Sequence, residues 1–277
     1  MTSMKKNLLS AAACALMGLA SSAQAGVIID KFIDPVGGWQ EVTTISGTDF
    51  NQSGPFSTAN VIGGYRDLSV TKLSGDAPGE TSMTVYNGKL SFNNDTSVTG
   101  KGVITWDGSN SAGAGGSSVA PLGLGGIDLT SGGAADQFLV DVFTADLGFN
   151  YSISLWDMDG DRSTLSAGVQ FQVNSTITTN YLFYWFNLPT GEYCNGTLVP
   201  PDCTDPTTEL QFGIDRPDGE IDFTRIGAIQ LTLQGARADV DMAIGMIRTV
   251  PEPATLGLVG LALLGVGAMG RRSSRKS

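Results

Sequence analysis

Histidine is absent from all 277 residues. Its absence excludes Ser/His/Asp triads, Cys/His nucleophile pairs and histidine-containing zinc sites, so catalysis here would have to run on carboxylates, lysine, tyrosine or a bound metal. Cysteine is scarce: of three, Cys14 lies inside an N-terminal apolar run, leaving Cys194 and Cys203. Charge is thin, at 16% of residues, and lopsided, with 27 acidic against 16 basic side chains. Six of the basic residues (Lys5, Lys6, Arg271, Arg272, Arg275 and Lys276) sit at the two ends. The middle is therefore strongly acidic, which argues against nucleic acid or anionic lipid as a partner. Helical periodicity is missing almost everywhere between Val27 and Arg248, and a chain of this length is expected to build one domain.

What is present is alternation of apolar and polar residues, the period of a half-buried strand. Met83-Thr84-Val85-Tyr86 and Lys89-Leu90-Ser91-Phe92 flank Asn87-Gly88, the pair that supplies the two positive-φ positions of a type I′ hairpin. Val103 to Trp106 reads as the next strand of a meander, after a turn at Asn94-Asp95. Asp107 to Ser118 is a Gly/Ser/Ala/Asn surface excursion. Further alternation runs through Phe138, Val140 and Val142, then Tyr151, Ile153 and Leu155, then Val169, Phe171 and Val173. Tyr181 to Phe186 is apolar on both faces, which suits a strand inside a sheet or one carrying a binding surface. Ile229, Leu231 and Leu233 are expected to form a last hairpin with Val240, Met242, Ile244 and Met246 across Gly235. About a dozen short strands over residues 26–249 predict an all-β ectodomain, a two-sheet antiparallel sandwich of jelly-roll type.

The ends differ from the middle. Residues 1–25 carry Lys5 and Lys6, an apolar run from Leu8 to Leu19, and Ala23-Gln24-Ala25. This is the layout of a signal peptide cut between Ala25 and Gly26, with an apolar run too short to span a bilayer. Residues 250–277 carry Val250-Pro251-Glu252-Pro253, an apolar stretch from Ala254 to Gly270, and a basic cluster opening with Arg271-Arg272. The stretch predicts a single hydrophobic helix at the lower length limit for crossing a membrane, with the basic cluster left in the cytoplasm. The order Pro-Glu-Pro, short Gly/Leu/Ala helix, Arg-Arg resembles the PEP-CTERM sorting signal.

That resemblance implies a Gram-negative, exopolysaccharide-producing source and an exosortase-type membrane protease that cuts near Pro-Glu-Pro. The chain would be held transiently in the inner membrane and then reach the cell surface or the extracellular matrix of a biofilm. Val61 to Leu68, the Trp106-Asp107-Gly108 turn and the Ile-rich end of the domain resemble, more loosely, ectodomains of the same class of proteins.

Four features of the middle bear on chemistry. Cys194 and Cys203 are expected to form a disulfide in an oxidising compartment, and closing so short a loop contributes about 2.5–3 kcal/mol in the chain-entropy model. Asp157, Asp159 and Asp161 place three carboxylates at alternate positions on a turn, a spacing that suits Ca²⁺, the one cofactor the sequence suggests. Arg162 and Gly168 stand where a calcium loop of EF-hand type has its turn glycine and its closing glutamate, and a solvated acidic turn is the other reading. Glu220-Ile221-Asp222-Phe223 resembles part of the Glu-x-Asp-x-x-Glu strand motif of laminarinase-like glycosidases, but Arg225 replaces the second glutamate that a retaining mechanism needs. Trp39, Trp106 and Trp185 are each a sugar-stacking residue or a core residue. The expectation is a non-enzymatic surface or matrix protein associated with extracellular polysaccharide. Its alternatives are a secreted carbohydrate-active enzyme using Glu220 or Asp222, and a calcium-stabilised adhesin.

Overall fold

Alternate positions along each segment bury one face and expose the other, and the chain satisfies this pattern with two stacked sheets. The computed structural model describes residues 26–36, 38–109, 118–145, 148–169, 180–186, 188–194, 197–198, 211–235 and 238–251. Its strands are β1 (Ile28–Asp30), β2 (Gln40–Thr44), β3 (Thr48–Ser53), β4 (Arg66–Ser74), β5 (Thr81–Tyr86), β6 (Lys89–Asn94), β7 (Thr99–Trp106) and β8 (Ala135–Ala145), followed by β9 (Phe149–Asp157), β10 (Arg162–Val169), β11 (Asn180–Trp185), β12 (Gly191–Cys194), β13 (Thr197–Leu198), β14 (Gln211–Asp215), β15 (Ile226–Gly235) and β16 (Asp241–Pro251). Among the described residues, one antiparallel sheet has the order β11-β8-β16-β6-β5-β2, with β1 added on β16, and the other runs β13-β12-β14-β10-β9-β15-β7-β4-β3. The expected two-sheet antiparallel sandwich of jelly-roll type is the observed fold, and several connections cross from one sheet to the other.

The core lies between the sheets. Leu68, Ile104, Leu231, Ile153, Leu165 and Ile214 are successive cross-strand partners on the inner face of the second sheet. All six are buried, as are Met83, Phe92, Val140, Met242 and Ile244 of the first sheet. Burial of each such side chain stabilises the fold by about 1.5–3 kcal/mol relative to exposure.

The β5–β6 hairpin forms as the sequence predicts: Asn87 and Gly88 have φ of 51° and 76°, and Tyr86 pairs with Lys89. Two expected pairings do not form. β7 does not continue that meander but crosses to the second sheet, where it pairs with β4 and β15. β15 and β16 are not a hairpin either, since β15 pairs with β7 and β9 while β16 pairs with β6, β8 and β1 in the opposite sheet. Their apolar residues meet across the core instead of side by side. β11 likewise ends the order of its sheet among the described residues, rather than lying inside it.

A buried polar cluster ties β1 to the second sheet. Arg66 Nε and Nη2 donate to Asp30 Oδ2 and Oδ1 at 2.6 and 2.7 Å, with both side chains wholly buried. Trp106 Nε1 donates to Asp30 Oδ2 at 2.8 Å and Arg66 Nη1 donates to Gln40 Oε1 at 3.2 Å. The guanidinium carbon lies 4.9 Å from the Phe56 ring centroid and 5.4 Å from that of Phe32. A bidentate, further hydrogen-bonded pair of this kind satisfies most of what two buried charges lose on leaving water.

Candidate functional site

With the apolar partners of the second sheet turned inward, its outer face carries the other half of the alternation, and that half is polar. Gln52 pairs with Asp67, Asp67 with Thr105, Thr105 with Gln230, Gln230 with Ser154, Ser154 with Thr164, and Thr164 with Asp215. Strand twist and register thus line up seven polar side chains in one row from β3 to β14. At ~4.8 Å per strand the row is roughly 29 Å long. Gln230 Nε2 donates to Thr105 Oγ1 at 3.1 Å, and the Ser154 and Thr164 hydroxyls share a hydrogen bond at 2.9 Å. The neighbouring row adds Ser69, Thr232, Ser152 and Ser166, with Val103 and the exposed Phe50 as its apolar members.

Trp156 lies on the same face, two positions along β9 from Ser154 and opposite Ala228 and Arg162. It is half-buried, so part of the indole remains open beside hydroxyl and amide groups. Depth varies along the row: Asp67 and Thr105 are buried, Gln230, Ser154 and Thr164 half-buried, and Asp215 exposed. At the deep end Asp67 Oδ1 has no hydrogen-bond partner among the described residues. Burial, and then the neighbouring Asp107 carboxylate, push the Asp67 carboxyl up to about 7 against an opposing hydrogen bond from Gln52. Asp107 is itself held by Ser109 and by the Ala120 N–H, which donates to its Oδ2 at 2.8 Å.

The acidic turn is organised around its first carboxylate. Asp157 Oδ1 accepts from the backbone N–H groups of Asp159 and Asp161 at 2.9 and 3.0 Å, and Oδ2 accepts from the N–H of Asp222 at 2.9 Å. Asp159 points outward to Arg225 at 3.2 Å. Among the described residues no three acidic or cysteine side chains are grouped to hold a metal ion, and Asp157 acts as a cap joining the β9–β10 turn to the β14–β15 loop. Glu220 and Asp222 lie in that loop and not on a strand. Glu220 is exposed and paired with Arg216 at 2.6 Å. Asp222 accepts from the Thr224 hydroxyl and N–H, which hold its carboxyl below the usual carboxylate range.

Of the three tryptophans singled out in the sequence, Trp106 is core and Trp39 is exposed, with its Nε1 donating to Glu41. Trp185 belongs to β11. Cys194 lies on β12 beside Thr197 and Gln211, whereas Cys203, and with it the expected disulfide, lies outside the described residues. So do the signal peptide up to Ala25, and Glu252 onward with Pro253, Arg271, Arg272 and the expected helix. Among the described residues no helix is long and apolar enough to cross a membrane.

The C-terminal strand leads directly into the last of these segments, since Val250 and Pro251 end β16. Residues 249–273 match the family described as the PEP-CTERM protein-sorting motif. This chain carries a PEP-CTERM motif. The motif implies an exported protein sorted by an exosortase, and here it begins within the last strand of the sandwich. Curated proteins give no match to the chain.

Solved structures similar to it include an exo-β-agarase, at 16% identity and TM-score 0.37, over 83% of this chain and 25% of that one. Another is the family 11 carbohydrate-binding module from Clostridium thermocellum in complex with a β-1,3-1,4-mixed-linked tetrasaccharide, at 10% identity and TM-score 0.35, over 83% of this chain and 98% of that one. A third, PfGH50B, is 13% identical at TM-score 0.35 over 66% of this chain and 22% of its own. The chain thus spans a quarter or less of the length of PfGH50B and of the exo-β-agarase. These similarities are slight, and no residue role is carried over from them.

Proposed function

We propose that the sandwich is a non-enzymatic glycan-binding domain, exported and sorted through its PEP-CTERM tail to the cell surface or biofilm matrix, where it holds extracellular polysaccharide along the outer face of the nine-stranded sheet. The observation that carries this reading is the register-matched polar row from Gln52 to Asp215 with Trp156 beside it. An extended sugar chain presents hydroxyls at both edges and apolar ring faces. Amide and hydroxyl side chains exchange hydrogen bonds with the former, and a part-open indole covers the latter. The non-enzymatic part rests on the β14–β15 loop, where Glu220 is held by Arg216 and Asp222 is held ionised by Thr224. Asp222, held below the usual carboxylate range, does not resemble the raised-pKa acid that glycoside hydrolysis needs.

Affinity electrophoresis of the 26–251 domain in gels containing the producing organism's own exopolysaccharide tests the reading. Retardation is expected, and Trp156→Ala and Gln230→Ala should each weaken binding about tenfold, near 1.4 kcal/mol, with the fold intact by circular dichroism. Folded variants that bind as well as the parent would remove the outer face from consideration. Release of reducing ends from the same polymer, abolished by Glu220→Gln, would instead establish the enzyme reading.

A further inference from the structure

The sorting motif starts inside the fold. Its first residues, Thr249, Val250 and Pro251, pair with Phe138, Gln137 and Ala135 of β8. On the other side of β16, Ile28 and Asp30 of β1 pair with Arg248 and Ile247. Thr249 is wholly buried; its N–H donates to the Val27 carbonyl at 2.8 Å, and its Oγ1 accepts from the Val27 N–H at 2.8 Å. Gly26 lies so close that an added Cβ would collide with the Thr249 carbonyl oxygen. Both ends of the domain therefore leave from one corner, and the position expected to follow signal-peptide removal touches the residue that opens the sorting motif.

A peptide bond enters a protease cleft as an extended segment with its backbone groups free to bond the enzyme. At Thr249 the N–H and the hydroxyl are already committed to Val27, just before β1, and the strand is flanked by β8, so presenting this stretch means opening the end of the sheet. Among the described residues the last pair of β16 is Pro251 with Ala135, and Pro251 has no N–H to donate. We propose that the folded sandwich sets the limit of sorting cleavage: the bond cut lies C-terminal to Pro251, and the product keeps Val250 and Pro251 as the end of its last strand. In the hydrolytic form of the step the C–N bond breaks, the oxygen of water joins the new carboxylate on the ectodomain, and a proton goes to the released amine.

The test uses the full chain in its producing organism. Mass spectrometry of the C-terminal peptide of the processed ectodomain should find Pro251 or a later residue at the end. A product ending at Val250 or earlier overturns the proposal, as does a chain that keeps its tail uncut. A second arm inserts Gly-Ser-Gly-Ser between Thr249 and Val250, lifting the motif off the sheet while leaving the Thr249–Val27 pairing in place. In this variant products ending N-terminal to Pro251 should appear beside the parental one, because Val250 and the inserted residues no longer pair with the sheet, and pulse-chase processing should quicken about tenfold, because backbone hydrogen bonds no longer have to open first; a cut that stays at the parental position overturns the proposal. Processing at the parental rate, in a variant whose thermal unfolding matches the parent, would show that the sheet does not limit access.

Discussion

Arg66 and Asp67 are adjacent on β4 and experience opposite surroundings, because strand alternation sends one into the core and the other to the outer face. Arg66 is matched by Asp30, Gln40 and two aromatic rings. Arg66→Met should cost about 3–5 kcal/mol in chemical denaturation, since it leaves the Asp30 carboxylate buried without its counter-charge. Among the described residues Asp67 has no salt-bridge partner. Its carboxyl titrates near 7 in the folded chain against ~3.9 when unfolded, so between these values the folded state holds a proton that the unfolded state gives up. Its contribution to stability is therefore full below about pH 4, is lost as pH rises to about 7, and is constant above that. Asp67→Asn should remove this loss. The variant is expected to be more stable than the parent by about 1–2 kcal/mol at pH 8 and nearly equal to it at pH 4; thermal unfolding at the two pH values checks this. Neither role was legible in the sequence, where Arg66 and Asp67 stand out only as part of the Val61 to Leu68 segment.

At the scale of elements, the turn after β9 is an instance where sequence spacing and geometry diverge. Carboxylates at every second position look like ligands for one cation, yet backbone N–H groups from Asp159, Asp161 and Asp222 occupy the first of them. Asp157→Ala should therefore destabilise the fold by about 2–3 kcal/mol, and millimolar Ca²⁺ should not raise the unfolding temperature of the parent domain. A calcium-dependent rise would restore the cation reading, because a ligand bound only by the folded state must stabilise it. The β5–β6 hairpin was fully legible, since Asn-Gly and two alternating runs determine it locally. The β15–β16 pairing was misread for the opposite reason: apolar alternation says that a strand buries one face but not which sheet it joins.

For the whole molecule, the two-sheet architecture followed from counting alternating segments, but the candidate site did not. Gln52, Asp67, Thr105, Gln230, Ser154, Thr164 and Asp215 are scattered over more than half the chain, and only the register of seven strands brings them into a row. Trp156 was likewise visible as a residue but not as a member of that face. The sorting tail was legible outright, because its chemistry is linear. What the fold adds is mechanical. A pull on the C-terminal end loads β16 lengthwise against β8 and β1, so their hydrogen bonds resist in shear, sharing the load instead of parting one at a time. A domain tethered there while gripping a polymer on its other sheet would hold against flow by the slowness of its unfolding rather than by its equilibrium stability.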